Sequence, residues 1–157
     1  MKRKQVGFSL IELLIVVAII LVIAAIAIPN FLASRMAANE SSAVQEARAI
    51  TTAQVAYQTQ YGIGYAANLG DLGGSGTLAS STNALLIDSV LASGTKSGYV
   101  FVYVPLLSDA NGNFITYSLN ANPQTLGSTG RRYFYSDQTA VIRYSYTAPA
   151  VATDSPL

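Results

Sequence analysis

The sequence contains no cysteine and no histidine, and only 11% of its 157 residues are charged. Without cysteine the chain cannot form a disulfide, and without histidine it lacks the commonest proton shuttle and metal ligand. A serine or threonine nucleophile would need Lys96 or an acidic residue as its base, and no recognisable motif supplies one. We therefore predict no enzymatic activity and no cofactor. Basic residues form no stripe along the chain, so the sequence indicates no specific nucleic-acid partner.

Charged side chains are also nearly absent from one long segment close to the N-terminus. Residues 8–28 read FSLIELLIVVAIILVIAAIAI, in which Ser9 and Glu12 are the only polar residues. At about 1.5 Å per residue, a helix of this length measures about 31 Å, which is enough to cross the core of a bilayer. Lys2, Arg3 and Lys4 precede the segment and predict that its start stays on the cytoplasmic side.

Glu12 is the anomaly in this segment. A carboxylate inside a membrane costs free energy, so we interpret it first as a functional residue. Two simpler interpretations exist. A secretory signal peptide has a shorter apolar stretch and a small-residue cleavage site, which this segment lacks. An ordinary membrane anchor tolerates a glutamate near its end, where the penalty is lower.

Three features together resemble the N-terminus of type IV pilins and type II secretion pseudopilins: the basic leader over residues 1–7, the Gly7–Phe8 junction, and the glutamate at the fifth position after it. The resemblance covers about residues 1–60. It implies that a prepilin peptidase cleaves between Gly7 and Phe8, and that the new amino group of Phe8 is methylated. It also implies that residues 8–29 form a membrane-spanning and filament-core helix, with Glu12 as the assembly acid.

The same resemblance implies the partners and the location of the protein. The precursor would reside in the inner membrane, from which an assembly platform would extract it into a helical filament of identical subunits at the cell surface. The amino group created at Phe8 is a cation that Glu12 of a neighbouring subunit can pair with. Two other functions stay open: a pseudopilin of a type II secretion system, and a membrane-anchored protein that keeps its leader and never polymerises.

After the apolar segment, the sequence predicts an amphipathic helix over residues 30–61. Pro29 removes the hydrogen bond to the carbonyl of Ala25, which predicts a kink or a loosened turn there. Beyond it, a stripe of residues at three- and four-residue spacings predicts one face packed on a sheet. The members of this stripe are Val44, Ala47, Ile50, Gln54, Tyr57 and Tyr61.

The rest of the chain predicts a connecting loop, a sheet and a tail. Residues 62–98 are rich in small polar residues and predict a variable loop with one short helix over 84–91. Period-two alternation predicts an antiparallel sheet over 99–147, and residues 148–157 predict a flexible tail. The predicted strands are Tyr99–Leu107, Phe114–Ala121, Arg131–Tyr135 and Ala140–Thr147.

These elements predict an α+β fold, and the resemblance implies the pilin fold in particular. In that fold the hydrophobic half of a long N-terminal helix protrudes, and its C-terminal half packs on an antiparallel sheet, here of three or four strands. Aromatic residues and valines alternate in the first predicted strand, which predicts that both faces of the sheet are covered.

A weak candidate metal site lies between the first two predicted strands. Asp109, Asn111 and Asn113 have the spacing of the first ligands of a calcium loop. The later positions do not fit that loop, because the glycine comes too early and Asn120 replaces the bidentate glutamate. A hairpin turn is the favoured interpretation of the same residues.

Arg131 and Arg132 are followed directly by aromatic residues. This pattern predicts an edge strand whose cations discourage pairing with other sheets. An adhesive or DNA-contacting patch is one alternative, and a contact with Asp137 or Asp154 of a neighbouring subunit is another.

Overall fold

The computed structural model describes residues 7–74 and 77–157. The basic residues predicted to orient the leader, Lys2 to Lys4, lie outside the described residues. The chain forms two units, Met1–Arg35 and Met36–Leu157. A single helix, α1 (Leu10–Tyr61), contributes residues to both.

In the first unit, α1 is a helix with an uncovered surface. Apart from the half-buried Ala24, each residue from Gly7 to Arg35 is exposed. Helical structure continues through Pro29 without a break. The predicted bend of the helix at this residue stays a prediction.

In the second unit, the C-terminal part of α1 buries one face. The predicted stripe is confirmed, since five of its members are buried and Tyr61 is half-buried. Two acidic residues that the sequence placed on no buried face, Glu40 and Glu46, are buried as well. This face of α1 therefore combines apolar packing with buried charge.

A six-stranded antiparallel sheet follows, in which neighbours in sequence are neighbours in space. Its strands are β1 (Thr95–Lys96), β2 (Tyr99–Pro105), β3 (Tyr117–Pro123), β4 (Tyr133–Asp137), β5 (Arg143–Ser145) and β6 (Ser155–Pro156). The predicted α+β class is confirmed, whereas the predicted count of three or four strands is too low. The two-residue strands β1 and β6 explain the difference, because they are too short to produce a recognisable alternation.

The core of the second unit lies between α1 and one face of this sheet. Ile50 of α1 belongs to the same buried cluster as Tyr99 and Phe101 of β2, and as the inward residues of β3 and β4. The opposite face of β2 is open, because the exposed fractions of Val102 and Val104 are 43% and 42%. The prediction that both faces of this strand are covered is therefore wrong.

The tail over residues 148–157, predicted to be flexible, is bound to the sheet. Asn120 in β3 donates its side-chain amide to the carbonyl of Ala150 at 2.7 Å, and Ala150 is buried. Arg143 donates to the carbonyl of Asp154 at 2.8 Å, and β6 then pairs with β5. Side chains of β3 and β5 hold this segment in place. The sequence of the segment alone therefore does not indicate that it is ordered.

The connecting segment contains two short helices, α2 (Leu69–Leu72) and α3 (Ser89–Ala92). The prediction of a helix over 84–91 places its start too early, because α3 begins at Ser89. Ala84 and Leu86 donate their backbone N–H groups to the carbonyls of Asp71 and Leu72, and Leu85 has a φ of 57°. These contacts replace the hydrogen bonds of a helix, and Asp88 caps α3 instead.

Candidate assembly surface

The side chain of Glu12 marks the start of α1, because it accepts a hydrogen bond from the backbone of the residue before the helix. Its Oε2 accepts the N–H of Ser9 at 2.8 Å. This is one half of a capping box, in which a glutamate in the first turn satisfies the N–H of the residue that precedes the helix. An anion in the first turn also interacts favourably with the helix dipole. Gly7 and Phe8 therefore lie outside the helix, and both are exposed.

The surface that follows is apolar and uncovered. Among the described helices, only α1 is long and apolar enough to cross a membrane. None of its most apolar 18-residue window is buried. The exposed side chains are mainly leucine, isoleucine and valine. Exposed apolar surface of this extent marks an interaction surface for lipid or protein.

Three of the four predicted processing and assembly residues lie together. Gly7 and Phe8 come directly before the first turn of α1, and Glu12 is in that turn. Pro29 lies 17 residues further along, which corresponds to about 26 Å of helix. Within one copy, Pro29 therefore does not belong to the surroundings of Glu12.

In the second unit, Glu40 is an ion-paired residue that the sequence analysis missed. Its Oε1 accepts the backbone N–H of Arg131 at 2.7 Å, and its Oε2 accepts the Nε of Arg132 at 2.8 Å. The guanidinium of Arg132 also lies over the rings of Phe134 and Tyr144. This cluster attaches the segment before β4 to α1. No local pattern in the sequence indicates it, because the partners are more than 90 residues apart.

The same contacts correct the interpretation of the two arginines. β4 pairs with β3 on one side and with β5 on the other, so it is an interior strand and not an edge. Arg132 is committed to Glu40, while the side chain of Arg131 is exposed and forms no ion pair with another described residue. Arg131 is therefore available to a partner and Arg132 is not.

A second buried acid, Glu46, belongs to a mixed cluster beside α3. Ser97 donates to its Oε1 at 3.1 Å, and the Nζ of Lys96 lies 3.5 Å from the same oxygen. Lys96 also donates to Asp88 at 2.8 Å. Hydrogen bonds from Lys96 and from the backbone of α3 lower the pKa of Asp88. The cluster therefore attaches the end of the connecting segment to α1.

The candidate calcium residues form a turn. Oδ1 of Asp109 accepts the backbone N–H groups of Asn111 and Asn113 at 2.8 and 2.9 Å, and its Oδ2 accepts the side-chain amide of Asn113. These hydrogen bonds lower the pKa of Asp109, the one from the backbone of Asn113 most of all. The described residues contain no group of three or more acidic, histidine or cysteine side chains that could hold a metal. The arrangement matches the hairpin-turn interpretation, and calcium binding stays untested.

Comparison with known proteins gives one family model and two relatives, each of which matches only part of the chain. The family model of the prokaryotic N-terminal methylation motif matches residues 2–28. The type IV major pilin protein PilA of Myxococcus xanthus is 51% identical over 51 residues, which are 32% of this chain and 23% of that protein. The type IV wide pilus major component PilA4 of Thermus thermophilus is 59% identical over 39 residues, which are 25% of this chain and 30% of that protein.

The chain thus covers less than a third of the length of either relative. No solved structure matches it. The segment that the family model matches carries the exposed apolar part of α1, with Glu12 in its first turn. This segment carries the prokaryotic N-terminal methylation motif, and the chain is similar over part of its length to a type IV major pilin and to a type IV wide pilus major component.

Proposed function

We propose that this protein is the structural subunit of a type IV pilus filament. It is stored in the inner membrane, cleaved between Gly7 and Phe8 by a prepilin peptidase, and passed by an assembly platform into a helical polymer of identical subunits. One observation carries the proposal: the N-terminal part of α1 exposes an apolar surface in which Glu12 is the only charged side chain. Such a surface is suited to lipid before assembly and to copies of itself afterwards.

Packing of identical helices supplies the cohesion of the filament. Within a membrane, apolar helices gain little from the hydrophobic effect, and close packing drives their association. Once the helices have left lipid, each square ångström of apolar surface removed from water contributes about 25 cal/mol. A head-to-tail contact between copies that does not close into a ring generates a filament.

Glu12 sets the axial register of the subunits in this proposal. Cleavage gives Phe8 an ammonium group, and Glu12 of a neighbouring subunit is the anion within the apolar surface that can receive it. Two unit charges 4 Å apart attract by about 4 kcal/mol at an effective dielectric constant of 20, before desolvation is subtracted. Since the hydrogen bond from Ser9 occupies Oε2, the other carboxylate oxygen, Oε1, is the one offered to the neighbour.

A surface pilus is favoured over a secretion pseudopilus by the names of the two relatives. One is a major pilin and the other is the major component of a wide pilus. Deletion of the gene separates the two functions, because loss of surface fibres supports the pilus, whereas a secretion defect with unchanged fibres supports the pseudopilus.

Mass spectrometry of the protein from sheared surface fibres tests the proposal. We expect a chain that begins at Phe8 and carries one additional methyl group. A protein that keeps its leader in cells and stays monomeric in the membrane contradicts the proposal. Precursor from cells that lack the peptidase is the control, and it should retain residues 1–7.

A further inference from the structure

Two loops at opposite ends of the second unit expose side chains of complementary kind. The lower loop, residues 124–132, connects β3 to β4 and is bound to α1 near residue 40. Asn39 donates to the carbonyl of Thr129 at 2.9 Å, and Glu40 accepts the backbone N–H of Arg131. Gly130 packs so closely on the Tyr99 hydroxyl that a larger residue would not fit. The lower loop is therefore held in place.

The upper loop, residues 106–116, connects β2 to β3 and lies near the C-terminal end of α1. Phe114 accepts the backbone N–H of Tyr65 at 2.8 Å, and Asn113 and Phe114 line a depression together with Tyr57. Residues 40 and 57 of α1 are 17 positions apart, which corresponds to about 26 Å of helix. The two loops thus mark the two ends of this unit.

Both loops expose large apolar side chains. Leu107 in the upper loop is 64% exposed and has Leu106 and Ile115 as exposed neighbours, since Ile115 donates its N–H to the carbonyl of Leu107. Leu126 in the lower loop is 52% exposed. The three grouped apolar side chains of the upper loop form a surface suited to contact with another protein, and Leu126 offers the lower loop one side chain that could fill it.

The charges beside these apolar residues are opposite in sign. The lower loop carries Arg131, whose side chain has no ion-pair partner among residues 7–74 and 77–157. The upper loop carries Asp109, whose carboxylate is fixed by the N–H groups of its own turn and forms no salt bridge within the described chain. Each loop therefore offers one apolar group and one charge that the same copy does not pair.

We propose that the lower loop of one copy docks on the upper loop of the next copy, with Leu126 on the patch formed by Leu106, Leu107 and Ile115, and with Arg131 against Asp109. The inference rests on the proposed function, because it assumes that copies are held in one polymer. It adds to that function a second contact, which lies outside the helix core. The two halves of the contact are different surfaces of one chain, so it is heterologous and repeats along a filament without closing.

A second copy fits these surfaces better than other partners do. Nucleic acid and anionic lipid both need several cations, whereas the lower loop exposes Arg131 beside a leucine, and the upper loop presents an anion. Charge complementarity between two ends of the same molecule specifies another molecule of the same kind.

Disulfide crosslinking tests the contact directly, because the natural chain has no cysteine. In fibres of the double variant Leu107→Cys/Leu126→Cys, mild oxidation should produce a ladder of oligomers on a non-reducing gel. Each single variant should give dimers at most. The matched control is Val55→Cys/Leu126→Cys, in which the first cysteine replaces a residue of α1 that is 53% exposed, and no ladder is expected. Fibres of the double variant that form but do not ladder overturn the inference and leave the proposed function intact.

A second measurement covers the case in which the cysteine variants make no fibres. Arg131→Ala should lower the temperature at which purified fibres dissociate, and the decrease should shrink as salt is added. The control is Arg48→Ala, which removes an exposed arginine of α1 that forms no ion pair among the described residues. Equal dissociation temperatures for both variants and the natural chain contradict the role of Arg131. Absence of fibres from the natural chain contradicts the proposed function instead.

Discussion

In the first unit the apolar side chains of α1 are exposed, and its one acid, Glu12, bonds only a backbone N–H. In the second unit the acids of the same helix, Glu40 and Glu46, are buried and bind groups from distant parts of the chain. The second unit therefore binds the buried acids of α1 internally, while the first leaves its acid and its apolar surface exposed. If the proposed function is correct, lipid or other copies cover the apolar surface that the first unit leaves exposed.

We expect the largest effect from replacement of Glu12, the acid that the first unit leaves exposed. Glu12→Ala and Glu12→Gln should both reduce fibre yield by more than about tenfold, because the loss of 1.4 kcal/mol already weakens a contact tenfold. Glutamine keeps the hydrogen bond to Ser9, so equal losses in the two variants assign the effect to charge and not to the helix start. Electron microscopy and immunoblots of sheared fibres measure the yield. Normal fibres from Glu12→Ala would rule out the role of this acid.

The next effect concerns the second unit alone. Glu40→Ala should lower the free energy of unfolding by about 3 kcal/mol, because it leaves Arg132 and the N–H of Arg131 without their buried partner. Urea unfolding of the full chain in detergent, followed by tyrosine fluorescence, measures the change. Ser41→Ala, at an exposed neighbouring position, is the control. A Glu40→Ala protein as stable as this control contradicts the structural role of the ion pair.

Alkaline pH offers a way to loosen the second unit without a mutation. Burial raises the pKa of Tyr117 from 10.0 to about 12. The folded state thus binds this proton more tightly than the unfolded state, so its contribution to stability is present below pH 10 and is lost as the pH rises towards 12. We expect unfolding in this range, measured by phenolate absorbance and circular dichroism together, and Tyr117→Phe should move the transition to higher pH. An unfolding transition at the same pH in Tyr117→Phe and in the natural chain would contradict this account.

The smallest expected effect concerns the tail. Asn120→Ala removes the hydrogen bond to the carbonyl of Ala150 and should cost about 1 kcal/mol of stability. Limited proteolysis should then cut the tail faster, while fibres still form. Asn30→Ala, on the exposed part of α1, should leave the tail as resistant as in the natural chain. Unchanged proteolysis of Asn120→Ala contradicts the proposed hold on the tail.

The parts of the fold that depend on local periodicity could be predicted from the sequence. The spacing of the stripe from Val44 to Tyr57 predicts which face of α1 is buried. The alternation of Tyr117, Leu119 and Ala121 does the same for β3. The strand ends shifted by a few residues, as in β4, where Arg131 and Arg132 precede the strand because Glu40 binds them.

The parts that depend on distant partners could not be predicted. Burial of Glu40 requires Arg132, and order in the tail requires Asn120 and Arg143, so no window of the sequence contains either signal. The helix start is a different case. Ser9 and Glu12 have the three-residue spacing of a capping box, so this contact has a local signal in the sequence.

The position of the last strand has a practical consequence. Leu157 donates its N–H to the carbonyl of Ile142, and its side chain is half exposed at the outer edge of the sheet. Removal of Ser155 and Pro156 would take away this strand and leave β5 as the edge of the sheet.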